Sequence, residues 1–336
     1  MKIWELPTPA LAVDRDALEH NLATMASALP GDRLRPHVKA HKCTALARRQ
    51  LAVGHRRFTC ATIREAEGMA AAGMADDLLV ANEVLHAQRL GDLIARGARI
   101  CLAVDSVATI DAAATGGVRE VLIDVNVGLP RCGCDIADAG VLADQARSRG
   151  LSVRGVMGYE GHAVGVEDRA RRTSEVEASK RILAQAHHDV GGELVTAGGT
   201  GSFDLHAPTT EIQAGSYALM DTAYAKLALP FRQALSVLAT VISVNQAGGW
   251  AVADCGLKAL GMDHGDPGLE DGRQVLFCSD EHVTFVPGPT APSPSVGERL
   301  RVLPAHVDPT VAYHERMHLV DGDDVIETWA VDLRGW

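Results

Sequence analysis

Positive charge is what this sequence most lacks: 32 Lys and Arg stand against 43 Asp and Glu, for a formal charge of -11. No long Lys/Arg run offsets that balance locally, which argues against nucleic acid or an anionic membrane surface as a partner and leaves small metabolites. Long apolar runs are missing as well, so nothing approaches the length needed to span a bilayer. The first residues, Met1-Lys2-Ile3-Trp4-Glu5, have neither a cationic stretch nor an apolar one of the kind that directs secretion, and a cytoplasmic protein is expected. Paired cysteines are absent too. The seven Cys are odd in number and irregularly spaced, and Cys132-Gly133-Cys134 is not a CxxC redox pair, so reduced thiols are expected rather than a disulfide framework. With 47% hydrophobic, 22% charged and 4% aromatic residues, the chain has the make-up of a soluble globular protein large enough for one big domain and a smaller one.

What is present is a repeating alternation. After Pro7-Thr8-Pro9, the apolar run from Ala10 to Val13 leads through Asp14 into a helical pattern with Leu18, Leu22, Met25 and Leu29 at three-to-four spacing. Eight β-like runs then recur: 34–38, 57–61, 77–81, 99–104, 120–125, 153–157, 194–197 and 211–214. Ala-rich helical segments such as 63–72, 84–95, 140–149 and 168–190 lie between them. That period predicts an α/β (β/α)8 TIM barrel over residues 8–230, with its active site at the C-terminal ends of the strands. Past Pro230 the texture changes to short β runs separated by turns at Gly248-Gly249, Pro287-Gly288 and 321–324, with irregular stretches at 265–273 and 287–294. A C-terminal all-β domain over 231–336 is expected, with residues 1–7 free to join it.

The chemistry centres on Arg35-Pro36-His37-Val38-Lys39-Ala40-His41-Lys42. Positive neighbours at Arg35 and Lys42 favour the neutral amine of Lys39, and a neutral amine attacks carbonyls. By itself this stretch reads equally well as a basic surface loop. Its place after the first barrel strand puts Lys39 on the catalytic face. Across the barrel, Gly198-Gly199-Thr200-Gly201-Ser202 and Gly215-Ser216-Tyr217 follow the last two runs, where small residues let backbone N–H groups and hydroxyls close on an anion. A lysine amine plus a phosphate cradle suggests pyridoxal phosphate. Arg131, after the fifth run, is within reach of the cofactor ring. Tyr159, after the sixth, is placed to pack on it, and His162 to act as a base. In Pro304-Ala305-His306-Val307-Asp308-Pro309-Thr310, an extended backbone would turn His306 and Asp308 to one side, where imidazole and carboxylate could hold a divalent ion. Such a triplet is also common as an exposed polar turn.

Together these residues resemble the fold-type III pyridoxal phosphate enzymes, in the metal-dependent branch containing D-threonine aldolase and D-serine dehydratase. The resemblance runs over nearly the whole chain and rests on residues 35–42, 198–202, Gly215-Ser216-Tyr217 with Met220-Asp221, and 304–311. It implies an alanine racemase-like barrel with a β-domain, a homodimer, a Schiff base at Lys39 and a metal at His306 and Asp308. Within the branch the dehydratases carry His-x-Cys as the metal pair and the aldolases His-x-Asp-Pro-Thr, which this chain matches with His306, Asp308, Pro309 and Thr310. Ala312 departs from the Asn common in the aldolases. The carboxylate favours Mn²⁺, with Mg²⁺, Co²⁺ or Zn²⁺ as other candidates. The implied reaction is cleavage of a β-hydroxy-D-amino acid to glycine and an aldehyde, with His162 taking the hydroxyl proton. The alternatives are dehydration of D-serine or 3-hydroxyaspartate, in which Lys39 removes the α-proton, and amino-acid racemisation, which the metal triplet disfavours.

Overall fold

The computed structural model describes residues 1–206, 209–288 and 293–336. The chain divides into two compact units: Met25–Lys39, Leu46–Gly215 and Leu333–Trp336 form a barrel unit, and Met1–Thr24, Ala40–Ala45 and Ser216–Asp332 form a β-rich unit.

The barrel unit is built on seven parallel strands, in the order Phe58–Cys60, Leu78–Val80, Ile100–Val104, Glu120–Asp124, Ser152–Met157, Leu194–Ala197 and Glu211–Ile212. Ile100–Val104 is buried at every position, as a strand covered on both faces must be, which is why it reads as a continuous apolar run. The helices between the strands start where the side chains can satisfy their first N–H groups. Thr62 and Glu65 form a reciprocal box at the start of Ile63–Ala71, and the Asp168 carboxylate accepts from Arg171 N–H at the start of Arg169–Val190. The first expected run, 34–38, does not form a continuous strand. Pro36 has no N–H to give a ladder, and the segment makes single bridges instead, Leu34 to Ile212 on one edge of the sheet and His37 to Thr59 on the other. It thereby links the two edge strands, and the chain then turns through the 3₁₀ segment Val38–Ala40.

Inside this unit Arg35 is fully buried, with Nε 2.8 Å from Glu211 Oε1 and Nη1 2.9 Å from Asp77 Oδ1. Arg154 reaches the same Asp77 at 3.3 Å. Burial alone pushes the Asp77 carboxyl up, but Arg35, Arg154 and Arg57 outweigh it and hold the group below the usual carboxylate range.

The β-rich unit carries a nine-stranded sheet. Its core pairs the run at the start of the chain, Ala10–Asp14, in parallel with Arg316–Asp321 and antiparallel with Leu235–Asn245. Leu11, Ala12 and Val13 are wholly buried. That run, placed with the barrel on its strand–helix pattern, belongs to this sheet because both its hydrogen-bonding neighbours come from it. Outward from Leu235–Asn245 follow Trp250–Ala253, Val283–Val286 and Gln274–Cys278, while Arg299–Leu303 also pairs with Leu235–Asn245 and carries Gly268–Leu269. Asp324–Ala330 closes the far side on Arg316–Asp321. Leu333, just after the last strand, is buried in the barrel unit. Of the irregular stretch 287–294, residues 289–292 lie outside the described residues. Among the described residues no helix is long and apolar enough to cross a membrane.

Candidate active site

Tyr159 lies at the middle of the barrel unit's candidate site. It follows Ser152–Met157, and its ring has Arg131 at 5.3 Å from the centroid and Lys39 Nζ at 5.8 Å. A Cβ on Gly199 would come within 3.4 Å of the same ring, so the turn after Leu194–Ala197 lies against it. Gly161 is needed there, because a Cβ would meet the Tyr159 ring at 2.6 Å and Leu129 at 2.9 Å. Lys39, Arg131, Tyr159 and the 198–202 turn, far apart in sequence, are thus brought together. His162 packs on Gly128, which is held at φ +130° and where a Cβ would be 2.6 Å from the imidazole.

The Arg35 part of the charge argument for a reactive Lys39 does not hold. Arg35 is neutralised by two buried carboxylates, Asp77 and Glu211, so its charge is not available to favour the neutral amine. What surrounds Lys39 is geometric: it is half-buried, its own backbone N–H points to His37 Nδ1 at 3.4 Å, and an aromatic face lies beside its amine. Arg131 sits on a loop that Val125 and Cys134 pin together through hydrogen bonds from Asn126 N–H to Cys134 O and from Cys134 N–H to Asp124 O. Burial, and then Glu83, push the Asp124 carboxyl well above its ordinary value, and hydrogen bonding to Glu83 ahead of burial pushes the Cys132 thiol up to about 11. Cys132 is therefore a neutral thiol at pH 7, in keeping with a loop role.

In the turn, Thr200, Gly201 and Ser202 are buried. Beneath it the Glu160 carboxylate, itself wholly buried, accepts from Ser202 Oγ at 2.5 Å and Gly198 N–H at 3.3 Å, and lies 2.7 Å from His206 Nε2. Gly215 ends the long central segment of the barrel unit. Ser216 and Tyr217 belong to the β-rich unit, in the short turn Ser216–Ala218, where the Tyr217 ring packs 5.7 Å from Phe231.

The β-rich unit holds the second candidate centre. The segment expected to be extended is helical: Val307–Tyr313 is an α-helix, preceded by His306 in an extended conformation. Pro309 falls in the first turn, where its missing N–H has no intrahelical partner to lose, and Asp308 beside it favours the positive end of the helix. The helix start is fixed by Asp221, whose carboxylate accepts both Val307 N–H at 3.0 Å and Tyr224 N–H at 2.9 Å. Ser216 Oγ donates to Asp308 Oδ1 at 3.2 Å. His306 Nδ1 is 2.8 Å from Asp263 Oδ2, and its ring stacks on His264 at 3.8 Å between centroids. Asp263, His264 and His306 bring three ligand atoms within 4.8 Å of one another. The helix after His306 leaves Asp308 outside that group, with its Oδ1 accepting from Ser216; two imidazoles and the Asp263 carboxylate suit a divalent ion, held by all three or by the imidazoles with Asp263 orienting His306. A primary amine, an aromatic face, a guanidinium and a turn of small residues suit pyridoxal phosphate.

Sequence reasoning overlooked Asp263, His264, Glu160 and His206. Asp263-His264 stands 43 residues before His306, so no spacing links them. Glu160 was passed over between two residues that drew notice, Tyr159 and His162.

A parallel barrel that gathers a lysine, an aromatic ring and a small-residue turn, joined in one chain to a β-rich unit with a His/Asp cluster, defines the alanine racemase-like class. A family model described as the N-terminal domain of alanine racemase matches residues 13–223, and a serine dehydratase domain model matches 234–320. The chain is 35% identical to a D-threonine aldolase from Arthrobacter sp., covering 98% of this chain and 93% of that one. It is 32% identical to a 3-hydroxy-D-aspartate aldolase of Paracoccus denitrificans with the same coverage. The crystal structure of D-threonine aldolase from Filomicrobium marinum superposes with a TM-score of 0.92 at 35% identity, covering 100% of this chain and 98% of that one. The chain belongs to the fold-type III pyridoxal phosphate family, in its D-threonine aldolase and D-serine dehydratase branch.

Proposed function

We propose that this protein is a carbon–carbon lyase, dependent on pyridoxal phosphate and a divalent metal, that cleaves β-hydroxy-D-amino acids of the D-threonine type to glycine and an aldehyde. The observation that carries the aldolase reading is Asp308: a carboxylate, not a thiolate, stands two residues after His306. Full-length similarity to a D-threonine aldolase supports it. The serine dehydratase domain match keeps dehydration of D-serine or 3-hydroxyaspartate as the second reading.

In this reading Lys39 anchors the cofactor through Nζ, Tyr159 packs on its ring, and Arg131 stands beside the ring. Thr200, Gly201 and Gly215, with Ser216 and Tyr217, are the residues proposed to hold its phosphate, and His306 and Asp308 the metal, with Mn²⁺ preferred. When bound, the cofactor supplies an electron sink for charge developing at Cα, and the ion supplies a Lewis acid for a β-hydroxyl. The chain's own parts in the reaction are then few. The His162 imidazole accepts the β-hydroxyl proton as the Cα–Cβ bond breaks and the oxygen becomes the aldehyde carbonyl, and a proton from the same imidazole or from solvent then completes glycine at Cα. Lys39 would hold the cofactor through Nζ before and after turnover. Asp263, bonded to His306 Nδ1, leaves Nε2 as the nitrogen that would hold an ion. A homodimer is part of the proposal and is checked by light scattering.

Incubating the purified protein with D-threonine, pyridoxal phosphate and Mn²⁺ is expected to yield acetaldehyde and glycine. Formation of 2-oxobutanoate would instead mean dehydratase. EDTA is expected to abolish turnover and Mn²⁺ to restore it; activity untouched by EDTA would remove the metal from the proposal. Lys39→Ala is expected to lose the Schiff-base absorbance band.

A further inference from the structure

Glu160, wholly buried beside the candidate site, touches the turn at both ends. Its Oε2 accepts Gly198 N–H at 3.3 Å, while Oε1 accepts Ser202 Oγ at 2.5 Å and lies 2.7 Å from His206 Nε2. Ser202 Oγ in turn accepts Gly199 N–H at 3.2 Å, so the carboxylate and one hydroxyl organise the first, second and last residues of the turn. His206 Nδ1 is buried with no hydrogen-bond partner among the described residues, so the polar contact that orients the ring is the one to Glu160. Burial pushes the Glu160 carboxyl up, but His206 and Ser202 outweigh this and hold it below its ordinary value, so it is ionised. An ionised carboxylate only accepts, and its two oxygens meet the three donors; an amide offers a single oxygen and adds donors where donors already point.

We infer that Glu160 is a positioning residue that sets the 198–202 turn in the conformation that receives the cofactor phosphate, without touching the phosphate itself. This rests on the proposed reading of that turn as the phosphate site. Tyr159, the neighbouring residue, lies against Gly199, so one dipeptide would set both the ring platform and the phosphate turn.

The test compares two cofactors, pyridoxal phosphate and pyridoxal, which lacks the phosphate, by absorbance titration of the full chain freed of cofactor. In Glu160→Gln, affinity for pyridoxal phosphate is expected to fall about tenfold, the scale of one lost buried hydrogen bond to a charged group, while affinity for pyridoxal stays unchanged. Equal weakening of both would show general loosening of the barrel and overturn the inference, as would no change. Ser202→Ala removes only the hydroxyl link and is the second arm, decisive should Glu160→Gln not fold. It is expected to weaken pyridoxal phosphate binding severalfold and spare pyridoxal, and indifference to the phosphate overturns the inference. If the unaltered protein binds both cofactors equally, the phosphate reading of the turn fails first and this inference falls with it.

Discussion

His306, the proposed metal ligand, depends for its orientation on a neighbour that its sequence surroundings do not reveal. Its Nδ1 is 2.8 Å from the Asp263 carboxylate and its ring is stacked on His264, so orientation and tautomer are set before any ion arrives. Asp263→Ala is therefore expected to weaken Mn²⁺ binding by roughly 10- to 100-fold, the range seen when the outer partner of a ligating His is removed. Asp263→Asn, which keeps an acceptor for Nδ1–H, is expected to lose less. Titration of the full chain with Mn²⁺ measures both, with His306→Ala as reference; an Asp263→Ala protein that binds Mn²⁺ normally would sink the assignment.

At the scale of elements, single carboxylates hold segments together. Asp221 accepts from the first N–H of Val307–Tyr313 and from Tyr224 N–H in Thr222–Ala225, so one buried side chain serves two helix starts. Asp221→Ala is expected to destabilise the protein by about 2 kcal/mol, as two N–H groups lose their partner. Because Asp308 sits in the first turn of that helix, Mn²⁺ affinity should fall too; urea unfolding and metal titration report the two effects separately.

The Arg35 network acts likewise on strands, tying Glu211–Ile212 to the start of Leu78–Val80 through Glu211 and Asp77. Arg35→Met is expected to cost about 3 kcal/mol, because it leaves two buried carboxylates short of their counter-charge. The Asp77 carboxyl is held below its unfolded value of about 3.9, so the stability it contributes is present above that pH and is lost as pH falls through the lower folded value. Unfolding between about pH 5 and pH 2 should show this acid loss in the unaltered protein and a weaker one in Arg35→Met. Parallel pH profiles for the two proteins would contradict it.

For the whole molecule, the two units are interleaved along the chain. Residues 1–24 lie in the β-rich unit and Leu333–Trp336 in the barrel unit. A fragment ending at Pro230 would keep Ala10–Asp14 but lose both its partners, Leu235–Asn245 and Arg316–Asp321, leaving three wholly buried apolar side chains uncovered. Such a fragment is expected to be insoluble or without a cooperative thermal transition; a soluble one that melts like the full chain would show the β-rich unit to be dispensable.

The alternation of apolar runs with Ala-rich helical stretches was enough to identify the barrel, because a strand covered on both faces must be apolar throughout. The run 100–104, buried at every position, is the clearest case. The same local logic misplaced Ala10–Val13, whose composition suits either sheet; which sheet it joins depends on partners more than 200 residues away. Pro36 breaks the strand expected over 34–38, and Pro309 fits a helix's first turn as well as an extended stretch. Lys39, Tyr159, Arg131 and the 198–202 turn could be named from residue type and place after a strand, since the barrel sends every such loop to one end. The neutralisation of Arg35, the carboxylate under the turn and the Asp263 partner of His306 were decided only in three dimensions. A charge's effect depends on what is buried beside it, and a hydrogen-bond partner is chosen by distance in space, which spacing along the chain does not record.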